Sequence, residues 1–174
     1  KDGEKAENRK FTATCTKFVK PPTQPSESLK LNPLACGGDK HYKRTLENIA
    51  ALHPIYRPYV IKLINEGYKQ TNLTWVVTDG YRSPKAQNEL SSAVTSAGAL
   101  QSYHQYGLAI DVVSVTNGEI TYLKNNSLSI EHSKKLGPIG ISLGLEWGGS
   151  WTRKKDYPHF QIKPNNKTWR DLKP

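Results

Sequence analysis

The stretch Ser102-Tyr103-His104-Gln105-Tyr106-Gly107-Leu108-Ala109-Ile110-Asp111, answered far downstream by Asp156-Tyr157-Pro158-His159-Phe160, constrains this chain more than any other feature. It supplies two histidines and an aspartate that can serve one ion only if the fold brings distant segments to a single point. Three protein ligands with an open fourth position is the arrangement of catalytic zinc, whereas structural zinc sites fill all four. Water in the open position is acidified to a pKa of about 7. Asp156, three residues before the second histidine, adds a carboxylate able to reach such a water as a general base. The expectation is a zinc hydrolase holding one ion at His104, Asp111 and His159. The same donors also accept other divalent metals.

Local patterning says how these residues converge. Leu108 to Val115 reads as a strand, so Gly107, Ala109 and Asp111 share one face while Leu108 and Ile110 take the other. The small residues beside Asp111 leave room for an ion and a substrate, and Gly107 lets the chain turn back toward His104. His159 reads as strand, with Phe160 directed into the core. Arg82, at the exit of an earlier strand, is placed to polarise a scissile carbonyl. The run Trp147-Gly148-Gly149-Ser150-Trp151 suits a cleft wall. Taken singly, each residue also has a plainer reading: His104 as a scattered histidine, Asp156 as a solvated turn acid beside Lys154 and Lys155, Arg82 as a surface charge, Trp147 as core. His41, His53 and His132 have no partners at ligand spacing and read as structural or solvated.

The rest of the chain reads as an α+β domain. Residues 1–42, rich in proline and charge without periodicity, read as an extension or tether, and 43–174 as the catalytic domain. Leu46, Ile49, Ala50 and Leu52 repeat at helical spacing. Pro54 is placed to open a second helix through Tyr59, Val60, Leu63 and Ile64, ending near Gly67. Leu73 to Thr78 reads as a strand. Ser83 and Pro84 cap and open a short helix through about Ala93. Glu119 to Leu123 reads as a return strand and Ser129 to Leu143 as a helix stopped by Gly144. Glu146-Trp147 and Pro158 to Ile162 complete the strands. At 174 residues, one domain buries a core without needing a metal for stability, so an ion here serves chemistry.

The net charge of +10 points to anionic surroundings. Lys and Arg are scattered rather than gathered on one helix, and no nucleic-acid-binding motif is present, so no specific nucleic acid is expected. Anionic cell-wall polymers fit the same charge. No apolar run approaches the ~20 residues of a membrane span. The chain opens on Lys1, which is compatible with a removed leader. Cys15 and Cys36 are expected to pair in an oxidising compartment, closing a loop of about 20 residues worth ~3 kcal/mol in the entropic model. The two remain unrelated thiols on the other reading.

Together, Gly80-Tyr81-Arg82-Ser83 with Gln87, Ser102-x-His104-x-x-Gly107-x-Ala109-x-Asp111, Trp147-Gly148-Gly149 and Asp156-Tyr157-Pro158-His159-Phe160 resemble the M15 metallopeptidases, which cleave peptidoglycan. The resemblance covers about Arg44 to Ile162, with all four motifs in the family's order. It implies zinc at His104, Asp111 and His159, Asp156 as catalytic base, Arg82 as carbonyl-binding residue, and Ser102 and Gln87 near the substrate. It implies a small α+β domain with a central antiparallel sheet flanked by helices, shared with the hedgehog signalling domain. Carboxypeptidases of the family usually carry Glu-x-x-His; Asp156-x-x-His159 resembles the endopeptidase branch. The implied activity is L-alanyl-D-glutamate endopeptidase on peptidoglycan stem peptides. The alternatives are a D,D-carboxypeptidase and a non-catalytic, zinc-containing wall-binding module. A monomer acting outside the cytoplasm, in the periplasm, in the wall or secreted, is expected.

Overall fold

The computed structural model describes residues 29–89 and 100–172. Cys15 and the far end of the helix expected through Ala93 lie outside these residues. Eleven elements form the described chain: α1 (Asp39–Ala50), α2 (Arg57–Thr71), β1 (Thr74–Asp79), α3 (Pro84–Asn88), β2 (Ala109–Thr116), β3 (Glu119–Ile120), α4 (Thr121–Lys124), α5 (Asn126–Ser142), β4 (Glu146–Trp147), β5 (His159–Gln161) and α6 (Trp169–Leu172). Short 3₁₀ turns at Pro33–Cys36, Tyr103–Tyr106, Gly148–Ser150 and Pro164–Asn166 join them. The sheet is antiparallel, in the order β1-β2-β5-β4 with β3 also on β2.

Alternation along β1 and β2 divides the sheet into two faces. Trp75, Val77, Ile110 and Val112 join Phe160, Val60, Leu63, Ile64, Leu136 and Ile139 in the main core, so α2 and α5 cover that side. Val76, Val113, Val115 and Ile120 form a smaller cluster on the other. Asp111 follows the phase of Val113 and Val115 and so opens away from the helical layer.

Register places the chemistry. The pairing Val77↔Val112 becomes Asp79↔Asp111 across a bulge at Thr78, and Asp111 also pairs with His159 on β5. Asp79, Asp111 and His159 thus lie abreast at one end of the sheet. The Thr78 hydroxyl donates to the Asp111 carbonyl at 3.2 Å, holding the bulge.

Several elements depart from the sequence expectations. The packed body begins well before position 43: Leu31, Ala35, Cys36 and His41 are buried, and α1 starts at Asp39. Pro58, not Pro54, opens α2, because residues 51–56 are used elsewhere; His53 N–H donates to the Gly107 carbonyl at 3.0 Å. The helix runs past Gly67 to an Asn72 cap at φ 56°, since Gly67 fills a close contact with Leu136 and Trp75. The return strand stops at Ile120; Thr121, bonded to Ser114 and Thr116, starts α4. Ser83 caps α3 as expected, accepting from Ala86 N–H at 3.1 Å with Pro84 behind it. Cys36 is buried with no disulfide partner among the described residues, and burial pushes its thiol up to about 11.

Candidate active site

His104 lies on the 3₁₀ turn before β2. Ser102 caps that turn, accepting from His104 N–H at 3.3 Å, and Gln105 Oε1 answers by accepting from Ser102 N–H at 3.2 Å. Gly107 ends it at φ 65°, the left-handed conformation that turns the chain into β2. A Cβ at Gly107 would stand 2.6 Å from the His53 nitrogen, so both conformation and space demand glycine. His159 comes instead from β5, opposite Asp111.

These elements bring three donor atoms together. Asp111 Oδ1 is 3.5 Å from His104 Nε2 and 3.3 Å from His159 Nδ1, and the two imidazole nitrogens are 3.3 Å apart. Both histidines are buried and Asp111 is half-buried. Each histidine's other nitrogen has an acceptor. His104 Nδ1 is 2.7 Å from the Gly80 carbonyl and His159 Nε2 is 2.9 Å from Gln161 Oε1. Those nitrogens therefore carry the protons, leaving lone pairs on His104 Nε2 and His159 Nδ1. Asp111 Oδ1 is a buried acceptor without a hydrogen-bond donor among the described residues. Three converging lone pairs repel one another unless a cation stands among them, and His104, Asp111 and His159 satisfy ligand spacing for a metal ion.

The ionisation of the cluster expresses the same demand for positive charge. Burial alone would raise the Asp111 carboxyl, but His104, and then His159, hold it well below the usual carboxylate range. Burial alone would lower His159, but Asp111 outweighs it and raises that imidazole. Asp156 shifts the other way: burial, then the charge of Asp111, raises its carboxyl, with His159 and His104 opposing. Proximity of Asp156 to the cluster depends on Gly148. Its carbonyl accepts from Asp156 N–H at 3.1 Å, and a Cβ there would run into the Asp156 backbone oxygen and stand 3.1 Å from the His159 Cβ.

Arg82 adjoins the His104 turn, its N–H donating to the His104 carbonyl at 3.1 Å. Its guanidinium pairs with Asp79 and donates to Gln87 Oε1 at 3.0 Å. Asp79, though abreast of Asp111, is thus occupied by Arg82 and by its own contact with Gly80 N–H. Gln87 and Trp147, both expected near the substrate, are buried. Gln87 is buried behind Arg82 and serves as its brace. Trp147 is buried, stacked at 6.4 Å on Phe160 and bonded through Nε1 to the Tyr157 carbonyl. Trp151 is the indole against the site, 5.2 Å from the His159 ring. Ser102 spends its acceptor oxygen on the turn.

Sequence reading missed Gln161 and the Gly80 carbonyl. Gln161 was open to inference, since it is two residues beyond His159 on the same strand face. A backbone carbonyl leaves no trace in side-chain identity. His41, His53 and His132 lie elsewhere: His41 bonds the Gly118 carbonyl, His53 accepts from Ile55 N–H, and His132 bonds Ser114.

A small α+β fold with a His/Asp/His cluster spaced for a metal ion, beside a raised carboxyl, fits the class of peptidases. The chain belongs to the M15 peptidase family. The family model described as D-alanyl-D-alanine carboxypeptidase matches residues 95–162. The peptidoglycan L-alanyl-D-glutamate endopeptidase CwlK of Bacillus subtilis is 36% identical over 126 residues, covering 66% of this chain and 75% of that protein. The L-alanyl-D-glutamate peptidase of Listeria phage A118 is 28% identical over 124 residues, 70% of this chain and 42% of the phage protein. Among solved structures, the L-Ala D-Glu endopeptidase ChiX of Serratia marcescens superposes with a TM-score of 0.56 at 26% identity. That match covers 71% of this chain and 89% of ChiX.

Proposed function

We propose that this protein is a zinc peptidase that hydrolyses the bond between L-alanine and D-glutamate in peptidoglycan stem peptides. The gathering of His104 Nε2, Asp111 Oδ1 and His159 Nδ1 with their lone pairs inward, beside Asp156, carries the reading. The likeness to CwlK and ChiX supports the choice of bond. A zinc ion held by these three residues would supply an acidified water and an electrophile for the peptide carbonyl.

The chain's own residues do the rest. Asp156, whose raised carboxyl binds a proton more readily than an ordinary aspartate, takes the proton of the attacking water and passes it to the leaving amine. Arg82, braced by Asp79 and Gln87, directs remaining N–H groups at the oxygen that gains charge in the transition state. Trp151 shields the His159 side from water. The protein acts as a monomer outside the cytoplasm, where its substrate lies. Its net charge of +10 keeps it near anionic wall polymers. No helix among the described residues is long and apolar enough to cross a membrane.

Digestion of defined muropeptides, with products identified by mass, tests the reading. Fragments ending in L-alanine and beginning with D-glutamate are expected. Asp156→Ala should lower turnover by about 10²–10⁴-fold while zinc content is retained. Loss of terminal D-alanine alone would make the protein a D,D-carboxypeptidase. Zinc binding without cleavage would make it a wall-binding module.

A further inference from the structure

Beyond the ligands, a half-buried carboxylate in β4, Glu146, lies among side chains that reach the His159 ring. Glu146 pairs across the sheet with Gln161, so the two side chains stand side by side on one face of β4 and β5. Its Oε1 accepts from Trp151 Nε1 at 2.8 Å, and its Oε2 meets Lys163 Nζ. Both partners of Glu146 on the His159 side touch that histidine. Gln161 Oε1 faces His159 Nε2 at 2.9 Å, and the Trp151 ring stands 5.2 Å from the imidazole.

A primary amide can turn either end toward a neighbour, and an imidazole can carry its proton on either nitrogen. Left free, Gln161 would present its NH₂ to His159 as readily as its oxygen. An NH₂ donor there would select the tautomer with the proton on Nδ1, the nitrogen that faces Asp111 and His104, and that tautomer cannot ligate through Nδ1. A carboxylate only accepts. With Glu146 on the far side, the Gln161 NH₂ must turn to it and the amide oxygen must turn to His159. Lys163 and Trp151 are donors only, which holds Glu146 ionised and acceptor-only.

We propose that Glu146 is the positioning residue for the metal site: through Gln161 it fixes the His159 tautomer that ligates by Nδ1, and through Trp151 it fixes the ring's plane. His104 needs no such relay, since the Gly80 carbonyl cannot be turned around. The proposal rests on the metal-site reading above.

The test compares wild-type, Glu146→Ala and Glu146→Gln proteins by zinc competition against a chromophoric chelator. A second readout is ¹⁵N-histidine NMR of the metal-free proteins at mildly alkaline pH. Wild type should bind one zinc and show His159 as the Nε2–H tautomer. Glu146→Ala should bind zinc about 10–100-fold more weakly and show His159 as a tautomer mixture. Glu146→Gln, which keeps an acceptor oxygen in the same shape, should recover part of both, and it decides the matter if the alanine variant does not fold. Affinity within about twofold of wild type and a single Nε2–H tautomer would overturn the proposal, even if thermal stability fell. A wild type that binds no zinc would instead overturn the metal-site reading itself.

Discussion

His104 and His159 deliver equivalent lone pairs to one point, yet the chain around them is built on different terms. His104 sits on a 3₁₀ turn whose geometry comes from local residues: Ser102 and Gln105 close its front, Gly107 its back, and the Gly80 carbonyl orients the ring. His159 sits in a strand, placed by pairing with β2, and its ring is oriented by side chains, Gln161 and Trp151. A backbone carbonyl is a fixed acceptor that no substitution at its own position removes. A glutamine amide is an acceptor only while something holds it that way. The turn is therefore vulnerable through backbone conformation and the strand through side-chain chemistry.

The largest effect expected is common to both. His104→Ala or His159→Ala removes one of three ligands. Either should abolish stoichiometric zinc binding, measured by metal analysis after dialysis, and reduce peptidase activity to background. Equal losses would show both as ligands. Retained metal in either variant would remove that histidine from the set.

Gly107→Ala separates the two regions next. The variant forces alanine into a left-handed conformation costing about 1–2 kcal/mol, with its Cβ 2.6 Å from a backbone nitrogen that cannot move without breaking the His53–Gly107 bond. Loss of about 2 kcal/mol or more of stability is expected, read from the denaturant midpoint. On the strand side, Gln161→Leu should cost only about 1 kcal/mol in the midpoint, for the His159 N–H left unpaired, and weaken zinc by about 10–100-fold. A large stability loss in the second, or an affinity loss without a stability loss in the first, would erase the distinction.

The same contrast explains what the sequence made legible. His104, Asp111 and His159 were readable because ligand chemistry restricts residue type, and Gly107 because a left-handed turn does. The capped start of α3 followed from Ser83-Pro84 for equally local reasons. The bulge at Thr78, which sets Asp79 abreast of Asp111, was not readable, since its register is decided by strand pairing across the sheet. Trp147 and Trp151 are identical in type and close in sequence. Only packing against Phe160 assigns the first to the core and leaves the second at the site. Gln87 reads as a polar residue near a motif, and only burial shows that it braces Arg82. What depends on a residue's own chemistry could be read, and what depends on partners brought from far along the chain could not.

The smallest effect expected is at Ser102. Its hydroxyl accepts from His104 N–H at 3.3 Å, a long bond, and Gln105 closes the turn from the other side by accepting from Ser102 N–H, which alanine retains. Ser102→Ala should cost about 1 kcal/mol in the denaturant midpoint, the usual loss for an N-cap. Because the Gly80 carbonyl still orients the ring, zinc affinity should fall less than in Gln161→Leu. If Ser102 also touches substrate through its O–H, KM rises beyond what the stability change accounts for; an unchanged KM confines it to the turn. A zinc loss as large as that of Gln161→Leu would mean that the turn, like the strand, relies on a side chain to hold its histidine, and the distinction between the two regions would fail.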